Sequence, residues 1–195
     1  MTAGGFDLRA ALAERGALLD GHFRLSSGRH SDRFVQKFRL LEDPALLEPV
    51  ARELARRFRG AEPTVVVSAA VGGILLGYEV ARALGTKAIF VEKDRGVPVL
   101  RRGFALAPSD RALVVEDVVT TGLSVREVLD VVHAAGAQVA GVGVVVMRGA
   151  PPFEVEAPSI PFEALLELPL LSYDESECPQ CHAGQPLTDP GSRRS

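Results

Sequence analysis

The stretch VVEDVVTTGLS, residues 114 to 124, sets two carboxylates, Glu116 and Asp117, directly before a loop suited to an anion. Val118 to Gly122 would lead from a strand into a helix beginning near Leu123, so the amides of Val118, Val119 and their neighbours can converge on a phosphate. The hydroxyls of Thr120, Thr121 and Ser124 add donors, and Gly122 allows the backbone to come close. Carboxylates repel a phosphate, so the acidic pair needs a partner of its own. Two vicinal ribose hydroxyls supply it, one sugar away from the phosphate, because a carboxylate accepts hydrogen bonds from hydroxyl groups. The stretch reads as a grip for ribose 5-phosphate. The chain holds no GxxxxGK[ST] and no GxGxxG, so neither common phosphate-loop pattern explains it.

Such a grip needs a sheet edge to carry it. From residue 64 onward, short β-branched runs (TVVVS, KAIFVE, RALVVED, QVAGVGVVVM) alternate with helix-length amphipathic segments (GGILLGYEVARALG, GLSVREVLDVVHAAG). Nearly continuous apolar strands, each followed by a helix, predict a doubly wound α/β core with a parallel sheet buried on both faces. Ligands of such sheets sit at the carboxyl ends of the strands, and residues 112 to 116 form the strand that delivers the grip. Gly72 and Gly73 end the preceding strand unit, where backbone amides could approach a second anion. The insertion DRGVPVLRRGFALAPSD contains the turn pair Arg95-Gly96 and reads as a hairpin that also moves. Upstream, the spacing predicts a helix over 6–19, capped by Asp7 and ended by Gly21. A second helix is predicted from Asp43-Pro44 to Phe58, stopped by Gly60 and restarted or kinked at Pro49. The tail DPGSRRS has the composition of a disordered end.

A hydrophobic strand, two acids, two apolar residues and TTG resemble the phosphoribosyl pyrophosphate motif of type I phosphoribosyltransferases. GHFRLSSGRHSDRFVQKFRL at 21–40, SAAVGGILLGYEVARALG at 68–85 and MRG at 147–149 are similar to segments of the orotate phosphoribosyltransferases within that family. The resemblance covers most of the chain. It implies a central, mostly parallel sheet flanked by helices with a small hood, laid out as N-terminal helices and a substrate segment over 1–60, the core over 61–150, and a C-terminal strand and tail over 151–195. The implied reaction joins orotate to phosphoribosyl pyrophosphate, giving orotidine 5′-monophosphate in pyrimidine synthesis. The implied phosphoribosyl pyrophosphate contacts are Glu116, Asp117, Val118, Val119, Thr120, Thr121, Gly122, Leu123, Ser124, Gly72 and Gly73. Thr120, Arg148, Ser27 and Arg29 would contact orotate. Arg148 has a chemical argument of its own, since orotate carries a carboxylate and a guanidinium fork matches one in bidentate fashion.

The chain departs from the familiar pattern in places. Val71 stands where a lysine is often found, and Ser26 and His30 also replace lysines. The inserted loop has no histidine, leaving Lys93, Arg95, Arg101 and Arg102 as its candidate catalytic cations, with Arg29 and Lys37 beside them. Charge growing on a leaving pyrophosphate calls for such cations and for Mg²⁺, whose hard oxygen ligands the substrate itself supplies. Mg²⁺ is expected to have no direct protein ligand, with Asp117 reaching it through water. The resemblance further implies a homodimer whose loops reach across to the neighbouring site. The rivals are a phosphoribosyltransferase for a purine and a non-catalytic nucleotide-sensing regulator on the same fold.

Composition narrows the field. Lys plus Arg number 22 against 25 Asp plus Glu, a net charge of −3, which argues against a nucleic-acid binder. No apolar run reaches the roughly 18 residues a bilayer span needs, and MTAGGFDLRA lacks a signal-peptide pattern, so a cytoplasmic protein without a membrane partner is expected. Both cysteines lie in CPQCH, Cys178 to His182, which matches half a zinc site, a redox CxxC and a haem-attachment CxxCH. Zinc needs two more ligands, and His22, His30 and His133 form no obvious ligand pair along the chain. The expectation is a structural C-terminal turn with reduced or opportunistically bridged thiols.

Overall fold

The computed structural model describes residues 7–25, 27–148, 160–169 and 171–190. Ser26, Gly149 and most of the proposed tail lie outside them.

The chain opens with helix α1, Leu8–Glu14, where Asp7 accepts a hydrogen bond from the Ala10 amide as N-cap. The helix is half the predicted length. Gly16 takes φ +62° and the Ala17 amide bonds back to the Leu12 carbonyl, so the chain turns out of the helix there. Leu18 and Leu19 instead begin strand β1, Leu18–Arg24, which pairs antiparallel with β2, His30–Val35. Gly21, read as a helix stop, lies inside β1. A short helix α2, Phe38–Leu41, leads to α3, Pro44–Phe58, capped by the Asp43 carboxylate on the Ala45 amide. Pro49 neither restarts nor breaks α3. A proline inside a helix costs about 3 kcal/mol. The buried face of α3 (Leu46, Leu47, Val50, Leu54 and Phe58 among others) outweighs that, since each large apolar side chain contributes roughly 1.5–3 kcal/mol on burial.

The core alternates as expected: β3 (Val65–Ala69), α4 (Gly73–Leu84), β4 (Lys87–Asp94), β5 (Val97–Leu100), β6 (Arg111–Val119), α5 (Leu123–Ala134), β7 (Gln138–Met147) and β8 (Phe162–Glu167). The sheet order is β5-β4-β3-β6-β7-β8, parallel except for the β4–β5 pair. Val65, Val66, Val67, Leu113, Val142, Val144 and Val145 are wholly buried, the mark of strands covered on both faces. One apolar cluster packs β-strand residues against α1, α3 and α4, the other against α5. Asp110 secures the start of β6 by accepting from the Ala107 amide at 2.8 Å and pairing with Lys87 at 3.2 Å.

The insertion is a hairpin. Asp94 and Val97 pair across a two-residue turn, with Arg95 at φ 51° and Gly96 at φ 87°, the signs of a type I′ turn. A short helix α6, Pro179–His182, carries the CPQCH segment, and strand-like contacts Phe23–Thr188 and His30–Tyr173 lay the C-terminal segment along β1 and β2.

Candidate functional site

Strand β6 runs past the acids. Glu116, Val118 and Val119 pair with Val144, Val146 and Met147 of β7, so the strand ends at Val119 and the loop shrinks to Thr120–Gly122. Gly122 adopts φ 74° as the N-cap of α5, a left-handed conformation that glycine takes without strain. Thr120, Thr121, Leu123 and Ser124 are exposed, with their hydroxyls and the first amides of α5 open to a ligand.

The two acids, by contrast, are buried, Asp117 at 1% and Glu116 at 6% exposure. Asp117 Oδ1 accepts from its neighbour Val118's amide at 2.6 Å and from Lys37 Nζ at 3.1 Å. Oδ2 lies 3.0 Å from the same ammonium but outside hydrogen-bond geometry, so it feels the charge and keeps an open lone pair. Glu116 Oε1 accepts from the Asp117 amide at 3.1 Å. Burial, and next to it the negative charge of Asp117, push the Glu116 carboxyl up to about 8. The shift favours the neutral form of Glu116, and Lys37 lies against Asp117, so both reduce the negative charge the pair presents to an anion bound at the loop. That eases the apparent repulsion. A neutral carboxyl can also donate one hydrogen bond and accept another, which suits a hydroxyl-bearing ligand.

Gly72 and Gly73 close the opposite wall. A Cβ on Gly72 would come 2.3 Å from Asp117 Oδ2 and 2.7 Å from Lys37 Nζ, so any larger residue there must displace that ion pair. The side chain of Val71 is 75% exposed, and the turn from β3 into α4 thus offers a ligand its backbone alone. Lys37 is the cation that meets the acids across the chain, 80 residues from Asp117. Sequence reasoning ranked it with five others. It follows β2 as the N-cap of α2, and nothing along the chain shows that this turn folds against the end of β6.

Arg148 follows β7, and its amide bonds to the Val119 carbonyl at 2.9 Å, placing it beside the loop. The side chain is half-buried, its Nε has no partner among the described residues, and burial lowers its pKa from the usual guanidinium value. A desolvated cation with no carboxylate partner among the described residues favours an anionic ligand.

The other cations are engaged elsewhere. Lys93 pairs with Glu127 of α5 at 2.7 Å, Arg102 with Glu92 at 3.0 Å, and Arg101 with Glu92 at 3.5 Å and Asp94 at 3.8 Å. Arg95 sits at the exposed hairpin tip. Arg29 donates to the Ser172 hydroxyl and carbonyl and pairs with Asp174 at 2.7 Å, which ties the C-terminal segment to the turn that contains Ser27. The histidine reading is corrected: His22 on β1 and His30 on β2 face each other, Nε2 to Nδ1 at 3.2 Å, with Cys178 and Cys181 against them. Strand pairing, which spacing along the chain does not reveal, makes them neighbours.

Residues 39–162 match the family model described as the phosphoribosyl transferase domain. The chain is 47% identical over 188 residues to the orotate phosphoribosyltransferase of Pelotomaculum thermopropionicum, covering 96% of this chain and 97% of that one. With the enzyme of the same name from Thermotoga petrophila it shares 45% identity over 186 residues, 95% and 98% of the two chains. Among solved structures, the orotate phosphoribosyltransferase of Aeropyrum pernix superposes with a TM-score of 0.71 at 29% identity, covering 83% of this chain and 94% of that one. Adenine phosphoribosyltransferase from Leishmania tarentolae, at 18% identity and a TM-score of 0.62 over 85% and 89% of the two chains, shares the fold.

Proposed function

The chain belongs to the phosphoribosyltransferase family, among its orotate phosphoribosyltransferases, and on that footing we propose which of its residues carry out the transfer. The reaction moves the 5-phosphoribosyl group from phosphoribosyl pyrophosphate to a ring nitrogen of orotate, releasing pyrophosphate and forming orotidine 5′-monophosphate. The observation that carries the assignment of roles is Arg148: a half-buried guanidinium with an unpartnered Nε, held beside the phosphate loop, fits the carboxylate that distinguishes orotate from other bases.

The amides and hydroxyls of Thr120 to Ser124 hold the 5-phosphate at the start of α5. Glu116, protonated, donates to one ribose hydroxyl while Asp117 accepts from the other. The Gly72–Gly73 backbone approaches the pyrophosphate, and Lys37, 3.0 Å from Asp117, supplies positive charge on that side. No side chain attacks the sugar. Bond breaking at C1 moves negative charge onto the leaving pyrophosphate, and fixed geometry and cations lower that barrier.

Asp117 Oδ2, a hard oxygen with an open lone pair at the Gly72 edge, would hold Mg²⁺ through a water, with substrate oxygens supplying the ion's direct ligands. When bound, Mg²⁺ neutralises charge on the diphosphate. Val71, Leu75 and Tyr78 expose 75%, 52% and 62% of their surface at and after the start of α4. This apolar stripe next to the site favours a homodimer, in which Lys93, Arg95, Arg101 and Arg102 of one hairpin close over the neighbouring site and exclude water. Among the described residues no helix is long and apolar enough to cross a membrane, consistent with a cytoplasmic enzyme.

The test is the loss of orotate absorbance on mixing with phosphoribosyl pyrophosphate and Mg²⁺. Wild type should turn over, and Arg148→Ala should lose roughly 100- to 1,000-fold in kcat/KM, the worth of a bidentate charged contact of about 3–4 kcal/mol. If wild type binds the activated sugar yet leaves orotate untouched, a purine acceptor or a sensing role replaces the proposed one.

A further inference from the structure

We propose that His22, His30, Cys178 and Cys181 form a closed structural zinc site that fastens the C-terminal segment to the β1–β2 pair. Their four ligand atoms all lie within 4.8 Å of one another. Four of the six distances match a tetrahedron's edges, and the other two lie within 4.8 Å. Zinc bonds of about 2.3 Å to sulfur and about 2.0–2.1 Å to nitrogen imply edges of about 3.3 Å between nitrogens and about 3.5 Å from nitrogen to sulfur. Here His22 Nε2 and His30 Nδ1 are 3.2 Å apart, Cys181 Sγ lies 3.2 Å from His30 Nδ1 and 3.6 Å from His22 Nε2, and Cys178 Sγ is 3.4 Å from His22 Nε2.

Hydrogen bonding does not account for this cluster. The Gln185 carbonyl can only accept, so the 3.0 Å contact to His22 Nδ1 puts the proton of the neutral ring on Nδ1 and leaves Nε2 with one bare lone pair. Three groups crowd that lone pair: His30 Nδ1, Cys178 Sγ and Cys181 Sγ. One lone pair does not accept three hydrogen bonds, whereas a cation at the centre satisfies all four atoms. The Gln185 carbonyl also supplies the outer contact that orients a metal-bound imidazole.

The donor set selects the metal. Two thiolates and two imidazoles in a tetrahedral arrangement suit zinc, and two thiolates cancel its charge, so the site is neutral where Cys178, His22 and His30 are 0%, 4% and 3% exposed. Binding releases the two thiol protons to solvent. With all four positions filled by protein, no site remains for water or substrate, and the role is structural. The geography agrees. Phe23–Thr188 and His30–Tyr173 contacts, the Gln180 amide on the Gly21 carbonyl, and Arg29 on Ser172 and Asp174 bind the same two pieces of chain. The metal would sit at the centre of that seam, joining residues 156 positions apart.

The experiment measures zinc by elemental mass spectrometry in the full chain, produced without a histidine tag in zinc-supplemented medium, alongside Cys181→Ser, His30→Gln and the control His133→Gln. One zinc per wild-type and control chain, falling toward zero in the two ligand variants, is expected. Cobalt added to chelator-stripped wild type should give thiolate-to-cobalt charge transfer and the intense visible bands of a tetrahedral site, a readout that stands even if the variants fold poorly. Wild type without zinc that shows no cobalt–thiolate band, or ligand variants that keep zinc as the control does, would overturn the proposal. So would a native Cys178–Cys181 disulfide found by mass spectrometry.

Discussion

Two places in this molecule gather polar groups away from water, and they are assembled differently. At the carboxyl edge of the sheet, Glu116, Asp117 and the Thr120–Ser124 loop come from one strand-loop-helix unit, and Gly72 and Arg148 arrive at the ends of the neighbouring strands. At the β1–β2 corner, two histidines 8 residues apart meet two cysteines about 150 residues further along the chain. The first place is asymmetric and open, with exposed hydroxyls and an unsatisfied guanidinium. The second is closed, each ligand atom meeting the others. An open set with unspent valences suits a substrate that comes and goes, and a closed set suits a permanent ion.

The largest loss of stability at the sheet edge should come from Lys37→Met, which leaves Asp117 buried without its cation. Removing one partner of a buried pair costs about 3–5 kcal/mol, and the partial exposure of Lys37 reduces this to roughly 2–3 kcal/mol, read as a lower midpoint in urea and weaker binding of phosphoribosyl pyrophosphate. The Cys/His corner should keep its zinc in that variant; loss of zinc would show that the two places are one cooperative unit. Next, Gly72→Ala should cost about 1–3 kcal/mol in kcat/KM, because the new methyl forces Asp117 Oδ2 and Lys37 Nζ apart. Unchanged kinetics would mean that the wall between them yields freely.

A pH experiment separates the acids. The folded-state pKa of Glu116, about 8, lies above its ordinary 4.5. The folded chain therefore holds a proton that the unfolded chain has lost, and this group's contribution weakens as pH rises from about 4.5 to about 8. Glu116→Gln should flatten that decline by on the order of 1–3 kcal/mol, measured as urea midpoints across the window. An unaltered profile would place the titration elsewhere. The smallest effect belongs to Lys93→Ala, whose exposed pair with Glu127 should contribute under about 1 kcal/mol to stability. A large loss of turnover with no loss of stability would then mark Lys93 as a hairpin cation acting on substrate.

The core was readable because parallel strands buried on both faces leave long apolar runs, and helix ends leave Asp, Pro and Gly at fixed offsets. Asp7, Asp43 and Pro44 behave accordingly. The Arg95-Gly96 hairpin was readable for the same reason, since a two-residue turn demands positive φ twice. The N-terminus misled. Leu8 and Leu12 sit at helical spacing with Leu18 and Leu19, but Gly16 breaks the helix, and the register that places Leu18 opposite Val35 depends on a strand not yet formed. The loop was drawn too long because pairing with β7, rather than local preference, carries β6 through Val119.

Composition and periodicity along the chain were enough to determine the α/β architecture, the strand-loop-helix unit after the acids and the presence of an acidic pair, because those depend on interactions within a few residues. Folding alone decided that Lys37 lies against Asp117, that burial beside Asp117 raises the Glu116 carboxyl, and that two scattered histidines close on a CxxC. Each of these follows from burial and from contacts between distant segments, and charge and coordination chemistry out of water depend on which groups those contacts bring within about 4 Å.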